Sequence, residues 1–321
     1  MNGTVRLILT RLLQLPLILV AVYTITFTLA WLVPGNPLDG PEGRRPPEAV
    51  AEAMQRQYDL DDPVRFWWQY LGKASGLSWA LGHHDRPFDL GPSLAHENWT
   101  VGEIIGDGLP VSATVGLSAI TIALGLGLGA GIAGATRPGT RLDAASLGCA
   151  LVGISVPTFV TGALLLGIVG AKLRWVPIGG WGSPAHLLLP ALTLSLPFAA
   201  YIARLTRFAL LEAYASDHVR AARARGIGER AILVRHALRG ALIPVAGYMG
   251  PAAAIALTGS FVVERVFAVP GIGTHFVNAV LSKDLTLVMG VVLVFATLLV
   301  LFNLLVDVVL RWLDPRIADA R

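Results

Sequence analysis

Apolar positions along this chain fall in long uncharged runs, without the short alternations or one-faced stripes of a soluble fold. The runs cover 12–38, 108–136, 144–171, 187–203, 240–263 and 285–306. A helix needs ~20 mainly apolar residues to cross the hydrocarbon core of a bilayer. The pattern therefore predicts six spans, placed at 12–33, 108–136, 144–171, 183–203, 241–263 and 285–310. The fourth gains length from its neutral N-terminal flank. The first follows Arg6 and Arg11, as a secretory signal would. It runs on too far and ends in VPGNP with no small-residue cleavage pattern, so it reads as a retained helix. The predicted fold class is an all-α integral membrane protein.

Composition agrees. Hydrophobic residues make up 54% of the 321 and charged residues only 14%, with a mean hydropathy of +0.64, outside the balance of a soluble domain. The net charge of +4 does not indicate nucleic acid, because the basic residues gather at the ends of apolar spans, the pattern of Lys and Arg retained on the cytoplasmic side. Segment 34–106 carries six basic residues against eleven acids, whereas 204–240 carries eight arginines against three acids. The N-terminus (1–11), 136–143, 204–240 and the tail (311–321) are therefore expected in the cytoplasm, and 34–106, 172–186 and 264–284 outside. Lys172 and Arg174 are a short exception to this distribution. The single cysteine, Cys149, allows no disulfide or cysteine metal site within the chain and is expected as a small buried residue.

Proline and glycine mark the spans. Pro157, Pro190, Pro197, Pro244 and Pro251 fall in or beside them, and glycine recurs in GLGLGAGIAGA at 125–135. Proline kinks a helix, and small residues let helices approach closely. The pattern fits either a densely packed bundle or helices that line a path and rearrange. In the outer segment, 61–79 predicts a short helix opened by Asp61 or Asp62 with Pro63 in the first turn. Its Phe66, Trp67, Trp68 and Tyr70 suit a membrane interface. His83 and His84 are adjacent, with no carboxylate spaced to complete a cage, so no metal site is expected.

The arginine-rich loop has a form of its own. Residues 219–226, VRAARARG, predict a short helix, since alanine and arginine are strong helix formers and Gly226 is a good terminator. The small side chains of Ala221, Ala222 and Ala224 suit a groove of another protein, with flanking arginines free to pair with acids.

The segment DHVRAARARGIGERAILVRHALRGALIPV resembles the cytoplasmic coupling loop of bacterial ABC-importer permeases of the dipeptide and oligopeptide group. The likeness extends over nearly the whole chain, through LVPGNP (32–37), YDLDDPV (58–64), DLGPS (89–93), SVPTF (155–159), WVPIGG (175–180) and LLLPALTL (187–194). It continues through GSFVVERVFAVPGIG (259–273), LFNLLVDVVL (301–310) and LDPR (313–316). The resemblance implies the type I ABC importer permease fold, with an extracytoplasmic insertion (34–106) between the first two of six transmembrane helices and a permease core over 107–321. It further implies the first-permease (B-type) subunit of a peptide importer in the bacterial inner membrane. Its implied partners are a second homologous permease, two ATP-binding subunits or one two-domain ATPase, and an extracytoplasmic substrate-binding protein. Arg220, Ala221, Ala222, Arg223, Ala224, Arg225 and Gly226 would carry the mechanical contact with the ATPase. The general permease consensus has glutamate before the alanine pair, where this chain has Arg220. Glu264, Pro270, Gly271 and Gly273 become external-gate candidates, with an ordinary capped turn at the interface as the alternative on the residues alone; Ser155 and Asn303 are path-lining candidates whose polar side chains fit helix packing equally.

The chain carries no ATP-binding loop of its own: its single Gly-Lys pair, Gly72-Lys73, is followed by Ala74 and lacks the upstream glycine. ATP and Mg are expected on partner subunits, with no cofactor and no catalytic residue here. Nickel or nickel-chelate import is the alternative within the family. A self-contained ion-coupled transporter or a membrane-embedded hydrolase is disfavoured, because both want ionisable groups near the midplane. Asp307 and Arg311, four residues apart, are expected to form a local ion pair.

Overall fold

The computed structural model describes residues 3–33, 55, 61–83, 87–96, 98–257 and 261–313. Most of LVPGNP, part of YDLDDPV, His84, Gly259, Ser260 and the end of the tail lie outside them. The described chain is helical: α1 (Gly3–Leu32), α2 (Pro63–Ala74), α3 (Leu77–Ala80), α4 (Val101–Thr136), α5 (Arg141–Ser155) and α6 (Thr158–Leu165). These are followed by α7 (Pro184–Ala215), α8 (Asp217–Ala224), α9 (Glu229–Ile232), α10 (Leu238–Leu257), α11 (Phe261–Val266), α12 (Ile272–Leu281) and α13 (Leu285–Leu313). Wider π-helical turns continue α6 over Leu166–Lys172 and join α9 to α10 over Leu233–Ala237. Among the described residues five helices are long and apolar enough to cross a membrane, and six spans result if α5 and the α6 segment count as one. Those two are bent by 105°, where a single run had been expected over 144–171. Pro157 explains the break, because it has no N–H to continue the ladder and disfavours helix in the residue before it.

The chain divides into two compact units. The first holds Ala113–Val269 with both chain ends (Met1–Arg11 and Leu299–Arg321), and within it α7 packs on α5 and α10. The glycine run of α4 is a contact surface in this unit. A β-carbon at Gly127 would lie 2.7 Å from the Ala199 carbonyl oxygen, and one at Gly131 2.7 Å from that of Ala203. Two glycines one turn apart thus bring α4 onto the α7 backbone, as small-residue pairs do in membranes. Cys149 is exposed on α5, contrary to the buried position expected, because α5 turns Asp143 and Ala150 inward.

In the first unit Arg11 also donates from Nη2 and Nε to Asp307 Oδ2, at 2.8 and 3.1 Å. The local Asp307–Arg311 pair is therefore not formed. Four-residue spacing permits such a pair, but a guanidinium held opposite the carboxylate by α1 offers two hydrogen bonds to the same oxygen.

The second unit holds Leu12–Ser112 and Pro270–Leu298. Its core begins with a one-faced aromatic stripe on α1, Tyr23, Phe27 and Trp31 at i, i+4 and i+8. Helix α2 starts at Asp62, whose Oδ1 accepts the Val64 and Arg65 N–H groups. It lays Phe66 against Phe27 and Trp31, and Tyr70 against Tyr23, with ring centroids 5.8–5.9 Å apart. Phe66 and Tyr70 are therefore core residues, contrary to the interfacial surface expected for all four aromatics; Trp68, 66% exposed, points away. The period of a helix sends i and i+4 inward and i+2 out. Tyr70 donates to the Thr286 carbonyl at 2.9 Å, and Tyr23 to that of Trp67 at 3.1 Å. Asp284, fully buried, opens α13 by accepting from Leu287 N–H and Thr286 Oγ1. Its second oxygen accepts from Ala95 N–H and Ser93 Oγ, fastening the segment before α4.

Candidate functional site

The loop after α7 is a small folded body. The Ser216 carbonyl accepts from the Arg220 N–H at 3.1 Å, starting α8, and Gly226 ends it in the left-handed region at φ +79°. There the Ile227 N–H returns to the Ala222 carbonyl at 3.3 Å. This matches the closing hydrogen bond of a glycine-terminated helix. Val219, Ala222 and Ile232 form a buried cluster with Tyr214 and Ile227 packed against it. Arg223 donates to both Glu229 carboxylate oxygens, at 2.7 and 3.1 Å, and lies 5.5 Å from the Tyr214 ring centroid. Arg220 donates to the Ala215 carbonyl at 3.0 Å and lies 3.3 Å from Asp217.

Of the alanines expected on the outward face, Ala221 and Ala224 are exposed and Ala222 is not. Val219 and Ala222, three apart, take the inward stripe of a short amphipathic helix. Arg220, Arg223, Arg225 and Gly226 are also exposed, so all seven expected positions lie on one short element, six of them at its surface.

Between the first turn of α5 and the later part of α7, Arg207 Nε and Nη2 donate to the two oxygens of Asp143, at 2.6 and 2.9 Å. The Gly139 N–H adds a bond to Oδ2, also at 2.9 Å. Sequence reasoning missed this pair: the partners stand 64 positions apart, and an acid just past a basic turn has the look of an ordinary helix start. Another missed pair is Tyr201 on α7 with Tyr248 on α10, ring centroids 4.4 Å apart. Their position in otherwise apolar spans was the available signal.

The external-gate candidates divide between the units. In the first, Glu264 on α11 is 2% exposed, and its carbonyl accepts the Val269 N–H at 2.8 Å. The Phe267 carbonyl there accepts from Gly180 N–H at 2.9 Å. In the second, Gly271 precedes α12, Gly273 is buried in its first turn, and the Ile272 N–H donates to Ser112 Oγ at 2.9 Å. Pro270 lines a cavity on α4. Ser155 is exposed at the end of α5. Asn303 faces α10, where a β-carbon at Gly250 would fall 2.7 Å from its Oδ1, a close-packed position. Among the described residues no three His, Cys, Asp or Glu are grouped to hold a metal ion.

Apolar spans of this number, a broken helix at Pro157 and a folded basic loop between two spans define a multi-pass membrane protein. A family model for the "Binding-protein-dependent transport system inner membrane component" matches residues 123–319. The chain is 36% identical over 299 residues to the dipeptide transport system permease protein DppB of Bacillus subtilis, covering 93% of each chain. It is 38% identical over 296 residues to the oligopeptide transport system permease protein OppB of Salmonella typhimurium, covering 92% of this chain and 93% of that one. Among solved structures, an inward-facing MetNI methionine ABC transporter chain shares the fold with a TM-score of 0.54 at 18% identity, over 66% of this chain and 97% of that one. The chain belongs to the binding-protein-dependent transport system inner membrane component family, and within it to the B-type permeases of the dipeptide and oligopeptide group.

Proposed function

We propose that this chain forms half of the translocation path of an ATP-driven importer of di- or oligopeptides. A second homologous permease completes the path, two ATPase subunits or one two-domain ATPase drive it from the cytoplasm, and an extracytoplasmic binding protein loads it. Nucleotide and Mg are bound by the ATPases, and both termini of this chain lie in the cytoplasm. The observation that carries the reading is the folded loop around α8, which presents a small, exposed face while holding its own core. Inward Val219, Ala222 and Ile232 make the loop a stiff body, and outward Ala221 and Ala224, with Arg220 and Arg225 beside them, form the surface offered to an ATPase groove. A rigid body in a groove transmits a push that a loose loop would absorb. Peptide is preferred as cargo because relatives named for dipeptide and oligopeptide transport match over 92–93% of this chain.

The test separates the two faces of α8. Glutamate at exposed Ala221 should leave the permease folded and assembled, while substrate-stimulated ATP hydrolysis and uptake fall at least tenfold, because an unpaired charge enters a buried contact. Normal uptake by Ala221→Glu in a reconstituted complex would refute the assignment.

A further inference from the structure

Within the second unit an open cavity of about 400 Å³ lies between the outer end of α4, the segment before it and the start of α12. Its lining includes His96, Trp99, Ile104, Asp107, Val111 and His275. The chemistry is one-sided. Among the described lining residues there is one carboxylate, two imidazoles and an indole, and no lysine or arginine. Burial and the neighbouring His96 hold the His275 imidazole below its usual range, with Asp107 pulling it weakly the other way. His275 is thus biased toward its uncharged, hydrogen-bonding form, and Asp107 is the carboxylate among the described lining residues. Trp99 is half exposed and Asp107 exposed, so both are open to a visitor. Ile104 is buried and, with Val111, gives the wall an apolar patch. Gly108, also in the lining, lies close against the start of α12: a β-carbon there would stand 3.0 Å from the Ile272 nitrogen, and that N–H is held by Ser112.

One carboxylate, an aromatic ring and an apolar patch, with no lysine or arginine among the described lining residues, suit an ammonium group carried beside an apolar side chain. We infer that this cavity is a substrate subsite that receives the free amino terminus of the incoming peptide, with Asp107 pairing the ammonium and Trp99 covering it. The inference rests on the peptide-import reading and deepens it by assigning one end of the cargo to one place on the permease. Among the described residues, His96, Asp107 and His275 are the ionisable groups that face the cavity from the three elements around it. Acidification that protonates His275 adds positive charge and opposes the ammonium.

The test uses the reconstituted complex with binding protein and a labelled peptide in two forms, free amine and N-acetylated. Asp107→Asn should raise KM for the free-amine peptide about five- to tenfold, the scale of one hydrogen bond at an exposed site. It should leave uptake of the acetylated form and the affinity for the binding protein unchanged. Trp99→Ala should act in the same direction, and the wild type should lose its preference for the free amine as pH falls through the imidazole range. Equal loss for both peptides, with weaker binding-protein docking, would mean that Asp107 meets a lysine of that protein, and the subsite would be rejected. No change in either variant would also reject it. Failure of the wild type to move either peptide would instead overturn the peptide reading itself.

Discussion

Asp143 and Arg207 show how much one pair of side chains does in this fold. The carboxylate, nearly buried, receives two guanidinium hydrogen bonds and a backbone N–H. Arg207→Ala leaves it with one donor, and the expected cost is about 2–3 kcal/mol, that of losing charged hydrogen bonds at a partly buried site. A thermal scan of the purified protein should show it, and pairing the change with Asp143→Leu should recover part of the loss. Unchanged melting of the single variant would mean the pair is idle. Ala222 makes a different point. Its periodicity with Val219 was present in the sequence, yet alanine suits both a groove and a core, and only the position of Ile232 decides which. Glutamate at Ala222 should therefore break the loop's own packing, seen as faster proteolysis between 214 and 232, whereas Ala221→Glu should not.

Among the elements, α4 and α2 carry the clearest consequences. Leucine at Gly131 would drive carbon into Thr206 and the Ala203 carbonyl, an overpacking worth about 1–3 kcal/mol or more; the same change at Gly129, where nothing stands within 4 Å of a β-carbon, should be tolerated. Comparing folded yield of the two variants checks this directly. Phe66→Ala empties a site among Phe27, Trp31 and Tyr70 and should cost about 3–5 kcal/mol of docking, read as faster hydrogen exchange through 63–74. The start of α2, the end of α8 and the kink-prone Pro157 were legible because Asp62-Pro63, Gly226 and Pro157 act locally. Which α2 aromatics face inward was not, since Trp67 and Trp68 are as apolar as Phe66, and their sorting depends on the stripe that α1 presents. The Arg11–Asp307 pair was hidden for the same reason: local spacing favoured Arg311, and the true partner lies 296 positions away.

Across the whole molecule, the class and the family were readable from runs of apolar residues and from ordered motifs, because the bilayer allows few solutions to the backbone hydrogen-bonding problem. Cargo is harder to read, since a cavity such as the one lined by His96, Asp107 and His275 is gathered from distant elements. The central claim is that this chain opens a path for peptides on the energy of ATP hydrolysed by its partners. The most direct test is uptake of labelled di- and oligopeptides, and of chelated nickel, into proteoliposomes holding this chain, the second permease, the ATPases and the binding protein. The account predicts peptide accumulation that requires ATP and no accumulation of nickel. Nickel uptake without peptide uptake, or peptide entry that proceeds equally without ATP, would contradict it.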